Sequence, residues 1–277
     1  MKKLLTIGLL IIGISLSAQQ KKVYLAKNGV TIKASADALV GSEGVLNGIG
    51  YVIVDLTTLK AMIRNGDDVT KVVTTKITNM SSLILDTSFN QDISSWDVSN
   101  VTNMKSMFEN ATSFNQPIGD WDVSKVTDMN GMFFFATSFN QNIDSWDVSN
   151  VTDMKSMFEN ATSFNQPIGD WDVSKVTDMN AMFFYATSFN QIIDNWDVSN
   201  VTNMSYMFNN ATSFNQALLG WDVNNVTNMG SMFGYATDFN QYIANWSVVN
   251  VTSCGDFRTN ASLTPANAPN FTKCKPD

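Results

Sequence analysis

Apolar and polar positions recur along this chain with a period of 25 residues. In the unit at 101–125, four apolar residues share the helical spacing i, i+3, i+4 and i+7: Met104, Met107, Phe108 and Ala111. This spacing predicts a helix of about two turns from near residue 103 to residue 111, with Thr102 as its N-cap. Further along the unit, Trp121 and Val123 alternate across Asp122, as in a short strand. Each coil is therefore predicted to carry one short strand and one short helix.

Large apolar side chains keep this period over seven units without a slip. All tryptophans of the chain fall on it: Trp96, Trp121, Trp146, Trp171, Trp196, Trp221 and Trp246. A period of about 20 to 50 residues is typical of solenoids, in which each unit buries its apolar face against its neighbours. Equivalent strands of stacked coils would lie about 4.8 Å apart and form a narrow parallel sheet. The pattern predicts an α/β repeat fold with the tryptophans in its core.

Two adjacent blocks of the array have almost the same sequence. Residues 101–150 and 151–200 differ at five positions. An active site needs one asymmetric set of groups, whereas this chain repeats the same groups six or seven times. It also has no histidine and only two cysteines, which excludes a zinc site and a histidine-dependent triad. We therefore expect a binding protein with no catalytic residues, metal or cofactor.

Polar residues recur in every unit as well, and two of these ladders have both a structural and a functional interpretation. An asparagine follows the repeated phenylalanine, as at Asn115, Asn140, Asn165 and Asn190. Stacked amides can satisfy the backbone groups of turns, which we favour over a row that binds a ligand. The aspartate that follows six of the seven tryptophans, such as Asp122, is expected to be structural or solvated. A calcium row is less favoured, because calcium needs about six to eight oxygen ligands.

The beginning of the chain predicts export. Residues 1–18 place Lys2 and Lys3 before an apolar run that ends in small residues, as in a secretory signal peptide. After its cleavage the chain is not expected to span a membrane, because the apolar run is shorter than a membrane-spanning helix. The net charge of the whole chain is −8, and the repeats contain few basic residues. Nucleic acid is therefore not an expected partner, since it would require a basic patch.

Both ends of the array depart from the period, as the caps of a solenoid do. Two Asn-Gly pairs between β-favouring runs predict hairpins in the N-terminal cap. Near the other end, Cys254 and Cys274 are expected to form a disulfide, because an exported chain enters an oxidising compartment. The expected segments are a signal peptide at 1–18, a β cap at 19–55, degenerate capping repeats at 56–88, the regular repeats at 89–253 and a C-terminal cap at 254–277.

The repeated motif resembles a known family. The segment FNQPIGDWDVSKVTDMNGMFFFATSFNQ, at 114–141, is similar to the unit of the BspA family of leucine-rich-repeat surface proteins, with FNxxI, WDVSNVTxM and MFxxAxxFN in the same order. The resemblance extends from about Thr57 to the C-terminus. It implies an exported bacterial surface protein with a leucine-rich-repeat-like right-handed solenoid and a role in adhesion or protein binding. It does not imply an enzyme, and it does not identify the ligand.

Positions that vary between coils are the candidates for partner binding, and here they vary with a period of 50 residues. The candidate residues are Phe134, Phe135, Phe184, Tyr185, Tyr206 and Tyr235. Exposed aromatic residues are enriched in interface cores. The alternative interpretation is that these rings pack between neighbouring coils, because large aromatic side chains are mostly buried.

Two functions are consistent with these features. One is a secreted or cell-surface scaffold that binds other proteins or host and matrix surfaces through the variable aromatic residues. The other is a lectin-like solenoid in which the tryptophan and aspartate ladders stack on sugars and bond to their hydroxyls. The exposure of Trp121 and Trp171 distinguishes the two, because a ring that stacks on a sugar has to be accessible to it.

Overall fold

A computed structural model describes residues 22–85 and 87–276. The signal peptide expected at 1–18 lies outside the described residues. The regular elements, in chain order, are β1 (Val23–Leu25), β2 (Ile32–Ala34), β3 (Glu43–Leu46), β4 (Ile49–Ile53), α1 (Leu56–Asn65) and β5 (Val72–Val73).

The N-terminal elements form two small sheets that precede the repeats. Strands β1 and β2 pair antiparallel, as do β3 and β4, and β5 joins β4 in parallel. The β3–β4 hairpin turns at Asn47 and Gly48, both of which have a positive φ, as Asn-Gly hairpin turns require. Helix α1 begins after Asp55, whose side chain accepts a hydrogen bond from the Thr58 amide. Hairpins therefore occur where the two Asn-Gly pairs predicted them.

The repeats stack with each coil in register on the next. Parallel bridges join equivalent positions from Asn79↔Asn103 through to Asn228↔Ser253. Between adjacent coils, alternate amides of one segment donate to carbonyls 24 residues ahead, for example Met104 to Asp128 and Phe108 to Met132, both at 2.9 Å. The intervening amides bond within their own coil, as Met107 does to Met104. We call this segment, at 103–110 and its equivalents, the ladder segment.

The predicted short helix at 103–111 is wrong. Throughout 89–253, which the structure describes completely, the coils consist of tight turns and single bridges and contain no helix. Ser106 and Asn110 have φ values of 52° and 61°, and a left-handed residue every fourth position prevents a right-handed helix from continuing. The predicted strand at Trp121 is wrong too, because the bridges form in the ladder segment. Successive turns also bring residues three and four apart to one side, so the Met-Phe stripe is buried without a helix.

The core is a stack of aromatic rings that continues from coil to coil. All seven tryptophans are at most 5 % exposed, as predicted for core residues, and Trp121 and Trp171 are 3 % exposed. Each indole N–H donates to a carbonyl of the preceding coil, as Trp171 does to Ile143 at 3.1 Å. The indole N–H, which would be costly to bury unpaired, is therefore hydrogen-bonded in every layer. Phe133 and Phe158 stack with ring centroids 5.6 Å apart.

The last coil is covered by the C-terminal segment. Cys254 and Cys274 form a disulfide, as predicted. The amide of Phe257 donates to the carbonyl of Pro276, and Phe271 packs edge-to-face on the Phe257 ring at 4.9 Å. These contacts shield the final apolar layer from solvent, which is the role of a capping unit in a stack of repeats.

Candidate interaction surface

The asparagine ladder joins neighbouring coils by hydrogen bonds. The Asn165 Oδ1 accepts from the backbone N–H of Asn190 at 2.9 Å and from Gln191 Nε2 at 2.8 Å. The Asn165 amide donates in turn to the Asn140 Oδ1 at 2.9 Å. The side chains are half-buried and each spans one coil step. The asparagine ladder thus satisfies backbone N–H groups that lie outside the ladder segment, in agreement with the structural interpretation.

Replacing Asn165 with alanine is expected to lower the free energy of unfolding by about 1 to 2 kcal/mol. Two donors, the Asn190 amide and the Gln191 side chain, would lose a half-buried acceptor. Urea unfolding followed by tryptophan fluorescence measures the change. Asn165→Asp is the matched control, because it keeps an oxygen in the same place and should lose less. An equal loss of unfolding free energy in both variants would show that the hydrogen bonds accepted by the Asn165 oxygen do not account for the effect.

The aspartates that follow the tryptophans bond within their own turns. The Asp122 Oδ1 accepts from the amide and the hydroxyl of Ser124 at 3.2 and 2.6 Å. Hydrogen bonds from the Ser174 hydroxyl and amide likewise lower the pKa of the Asp172 carboxyl. Asp97 is buried and pairs with Lys33 at 3.3 Å. These bonds explain the recurrence of aspartate as turn chemistry. Over residues 22–85 and 87–276 the structure has no cluster of three or more His, Cys, Asp or Glu side chains that could hold a metal.

Aromatic side chains emerge from the ladder segments at the positions that vary with the 50-residue period. We call the six candidate residues the aromatic row. Phe135, Tyr185, Tyr206 and Tyr235 are 38 %, 41 %, 46 % and 47 % exposed, respectively. The remaining two members, Phe134 and Phe184, are half-buried beneath them. The rings are therefore accessible to a partner, and the alternative of burial between coils does not hold for the four exposed members.

The aromatic row contains two closely similar pairs of rings. Phe134 and Phe135 meet edge-to-face with centroids 4.7 Å apart and an interplanar angle of 73°. Phe184 and Tyr185 meet at 4.7 Å and 85°. Tyr206 stands 6.0 Å from Phe184, also edge-on. Each perpendicular pair leaves an open corner between the faces of its two rings, and we call this corner a notch. The two notches lie two coils apart.

The backbone beneath the exposed rings is in an unfavourable conformation. Phe135, Tyr185 and Tyr235 have φ values of 56°, 55° and 57°, in the left-handed region that bulky residues rarely adopt. Alternate coils place asparagine at the same position and in the same conformation, as at Asn110, Asn160, Asn210 and Asn260. Asparagine tolerates this region because its short side chain can bond locally. The aromatic coils thus retain a conformational cost that the neighbouring coils avoid.

A shallow groove of about 390 Å³ borders the C-terminal half of the aromatic row. Besides Phe184, Tyr185, Tyr206 and Tyr235 it is lined by polar residues that the sequence interpretation did not single out: Asn209, Asn210, Ser231, Asp256 and Thr259. The repeat period could have identified several of them, since Asn209, Asn210 and Thr259 each lie 25 residues after another residue that lines the groove.

An acidic side chain lies between the two notches. The Phe135 amide donates to the Glu159 carbonyl, and Asn160 donates to Phe184, so that Glu159 occupies the intervening coil. Burial raises the pKa of the Glu159 carboxyl, against a lowering effect of the Ser156 hydroxyl and the Lys155 ammonium. The notches are therefore separated by a half-buried acidic group with a lysine nearby.

The stacked coils define a tandem-repeat protein whose units contact mainly their neighbours. The chain belongs to the family described as Mycoplasma protein of unknown function, DUF285, which matches in two copies at residues 56–171 and 160–271. No curated protein and no solved structure matches the chain. Among the residues that the structure describes, no helix has the length and apolar character needed to cross a bilayer. The disulfide in the C-terminal cap is compatible with a location outside the cytoplasm.

Proposed function

We propose that this chain is an exported surface protein that binds other proteins, on host or matrix surfaces, through its aromatic row and performs no catalysis. The resemblance to BspA repeats, the expected signal peptide and the disulfide all support this proposal. We further infer that the stack is a right-handed solenoid of the leucine-rich-repeat type, on the strength of the same resemblance.

One observation carries the proposal. Phenylalanine or tyrosine occupies a left-handed backbone position at Phe135, Tyr185 and Tyr235, although asparagine occupies the same position in the alternate coils. Residues in such conformations cost about 1 to 3 kcal/mol and cluster at functional sites, and bulky side chains rarely adopt them. These rings are also exposed, so packing in the core does not explain them.

Carbohydrate binding through the tryptophan ladder is not supported by the positions of the rings. Trp121 and Trp171 are 3 % exposed, and their indole N–H groups are bonded to carbonyls of the preceding coil. A sugar could stack on them only if the coils separated. The aspartates of that ladder are bonded within their turns.

Replacing Phe135, Tyr185 and Tyr235 together with asparagine is expected to abolish partner binding without destabilising the fold. Truncating aromatic hot spots costs about 2 kcal/mol or more in binding, which is about a 30-fold loss of affinity. Relief of the left-handed strain should meanwhile offset the lost ring contacts. Surface plasmon resonance of the full chain over immobilised collagen, laminin and fibronectin measures binding, and urea unfolding measures stability.

The matched control is Tyr242→Asn, which removes a tyrosine that is 52 % exposed but lies outside the aromatic row. We expect this control to bind like the original chain. The proposal is wrong if none of the three proteins binds, or if the triple variant binds as tightly as the control.

A further inference from the structure

We propose that the aromatic row binds a proline-rich segment in the polyproline II conformation, one proline in each of the two notches. This inference rests on the proposed function and specifies the class of partner. It follows from the shape of the notches, the distance between them and the charge around them.

The shape of the notches suits a prolyl ring. In each pair, Phe134 with Phe135 and Phe184 with Tyr185, the rings stand nearly perpendicular, at 73° and 85°. A compact, puckered pyrrolidine ring can pack into this corner against the faces of both rings. Aromatic-lined grooves bind polyproline II segments in this manner, and the preformed conformation of the ligand lowers the entropy that is lost on binding.

The distance between the notches matches the repeat of this conformation. The notches are 50 residues apart in sequence, which is two coil steps. Equivalent core rings of the same segments, Phe133, Phe158 and Phe183, stand 5.6 and 5.7 Å apart from coil to coil, so the notches are separated by about 10 to 11 Å. A polyproline II helix advances about 9 Å per three-residue turn, so that residues i and i+3 face the same side at nearly this distance.

The polar groups around the notches suit a peptide backbone and basic side chains. Asn160 lies in the coil between the notches, and an amide can donate to the carbonyls that polyproline II leaves unbonded. The neighbouring Glu159 carboxylate adds negative charge close to the bound segment, which favours basic residues in the peptide. The net charge of −8 attracts basic segments at longer range.

Perpendicular rings are poorly suited to the other polymer that aromatic rows bind, a polysaccharide. Stacking on a flat sugar face requires an open, flat ring platform. Here the exposed Phe135 and Tyr185 each have one edge or face against a half-buried neighbour. We therefore assign the row to a proline-rich protein segment, with sugar binding as an outcome to be tested.

Fluorescence anisotropy of labelled peptides with the full chain tests the proposal. Decaproline should bind, and decaproline flanked by arginines should bind more tightly. A short alanine peptide with two prolines three residues apart should bind at least fivefold more tightly than one with the prolines four apart. Phe135→Asn with Tyr185→Asn should weaken decaproline binding at least tenfold, whereas Tyr242→Asn should not change it.

Each contrary outcome identifies what has failed. If decaproline does not bind, or binds the double variant equally well, the polyproline inference is wrong. The proposed function still stands in that case if collagen, laminin or fibronectin binds and the triple variant loses that binding. If labelled chitohexaose binds and the double variant loses it, the row is a sugar-binding surface, and both proposals are overturned.

Discussion

Replacing Trp171 with alanine is expected to lower the free energy of unfolding by about 3 to 5 kcal/mol, the range for large-to-small changes of buried aromatic residues. The Trp171 ring is 3 % exposed and stacks on Trp146 at 6.4 Å and on Phe158 at 6.4 Å. The substitution would leave a cavity in two layers and remove the donor to the Ile143 carbonyl. In a stack of units that contact only their neighbours, this cavity interrupts the coupling between the two halves.

Urea unfolding followed by circular dichroism measures this loss. Tyr242→Ala is the control, because this exposed tyrosine should change stability by no more than about 0.5 kcal/mol. We expect the Trp171 variant to unfold in two steps, since the coils on either side of the cavity no longer unfold together. A single transition at the original midpoint would contradict the core position of the ring.

Removing the disulfide is expected to cost about 3 kcal/mol in the chain-entropy description. Cys254 and Cys274 are separated by 20 residues, and the loop that they close contains Phe257 and the Phe271 ring that packs on it. Without the disulfide the C-terminal cap should detach first. Its loss would expose the apolar side chains of the last coil, among them Trp246 and Phe257. The double variant Cys254→Ser, Cys274→Ser should therefore melt at a lower temperature and be cleaved by trypsin near Lys273.

Dithiothreitol supplies an independent measurement of the same effect. It should lower the melting temperature of the original chain to that of the double serine variant, and it should not change the variant further. If dithiothreitol lowers both equally, the effect does not come from this disulfide. If the melting temperature of the original chain does not change, the cap is held by its other contacts, such as the Phe257 to Pro276 hydrogen bond.

The sequence predicted the features of this protein that depend on the period. Seven tryptophans at a constant spacing can be buried together only if equivalent positions stack, and all seven are buried. The hairpins at the Asn-Gly pairs and the pairing of Cys254 with Cys274 also followed from local chemistry. The exposure of Phe135 and Tyr185 was one of two alternatives: the variation between coils indicated exposure, whereas the usual burial of large aromatic side chains favoured packing between coils.

The local backbone of the coil was not predictable from the same pattern. The stripe of Met104, Met107, Phe108 and Ala111 has a helical spacing, but Ser106 and Asn110 adopt left-handed conformations. Hydrogen bonding between coils competes with helix formation, because alternate backbone N–H groups donate to carbonyls of the next coil rather than to carbonyls of a helix. A single coil gives no sign of this, because the carbonyls that accept these bonds belong to the next unit. Helix propensity is a weak prior when neighbouring units supply other partners.

The backbone hydrogen bonds that join two coils in the ladder segment repeat from unit to unit, and the two notches lie 50 residues apart. Because the blocks at 101–150 and 151–200 differ at only five positions, unequal recombination between them would add or remove one notch and leave most interlayer contacts unchanged. A longer array would hold a repetitive ligand at more points, and the strength of attachment would rise steeply with each point engaged at once. The number of binding points in such a protein can therefore increase through the number of repeats alone, without any new type of side chain.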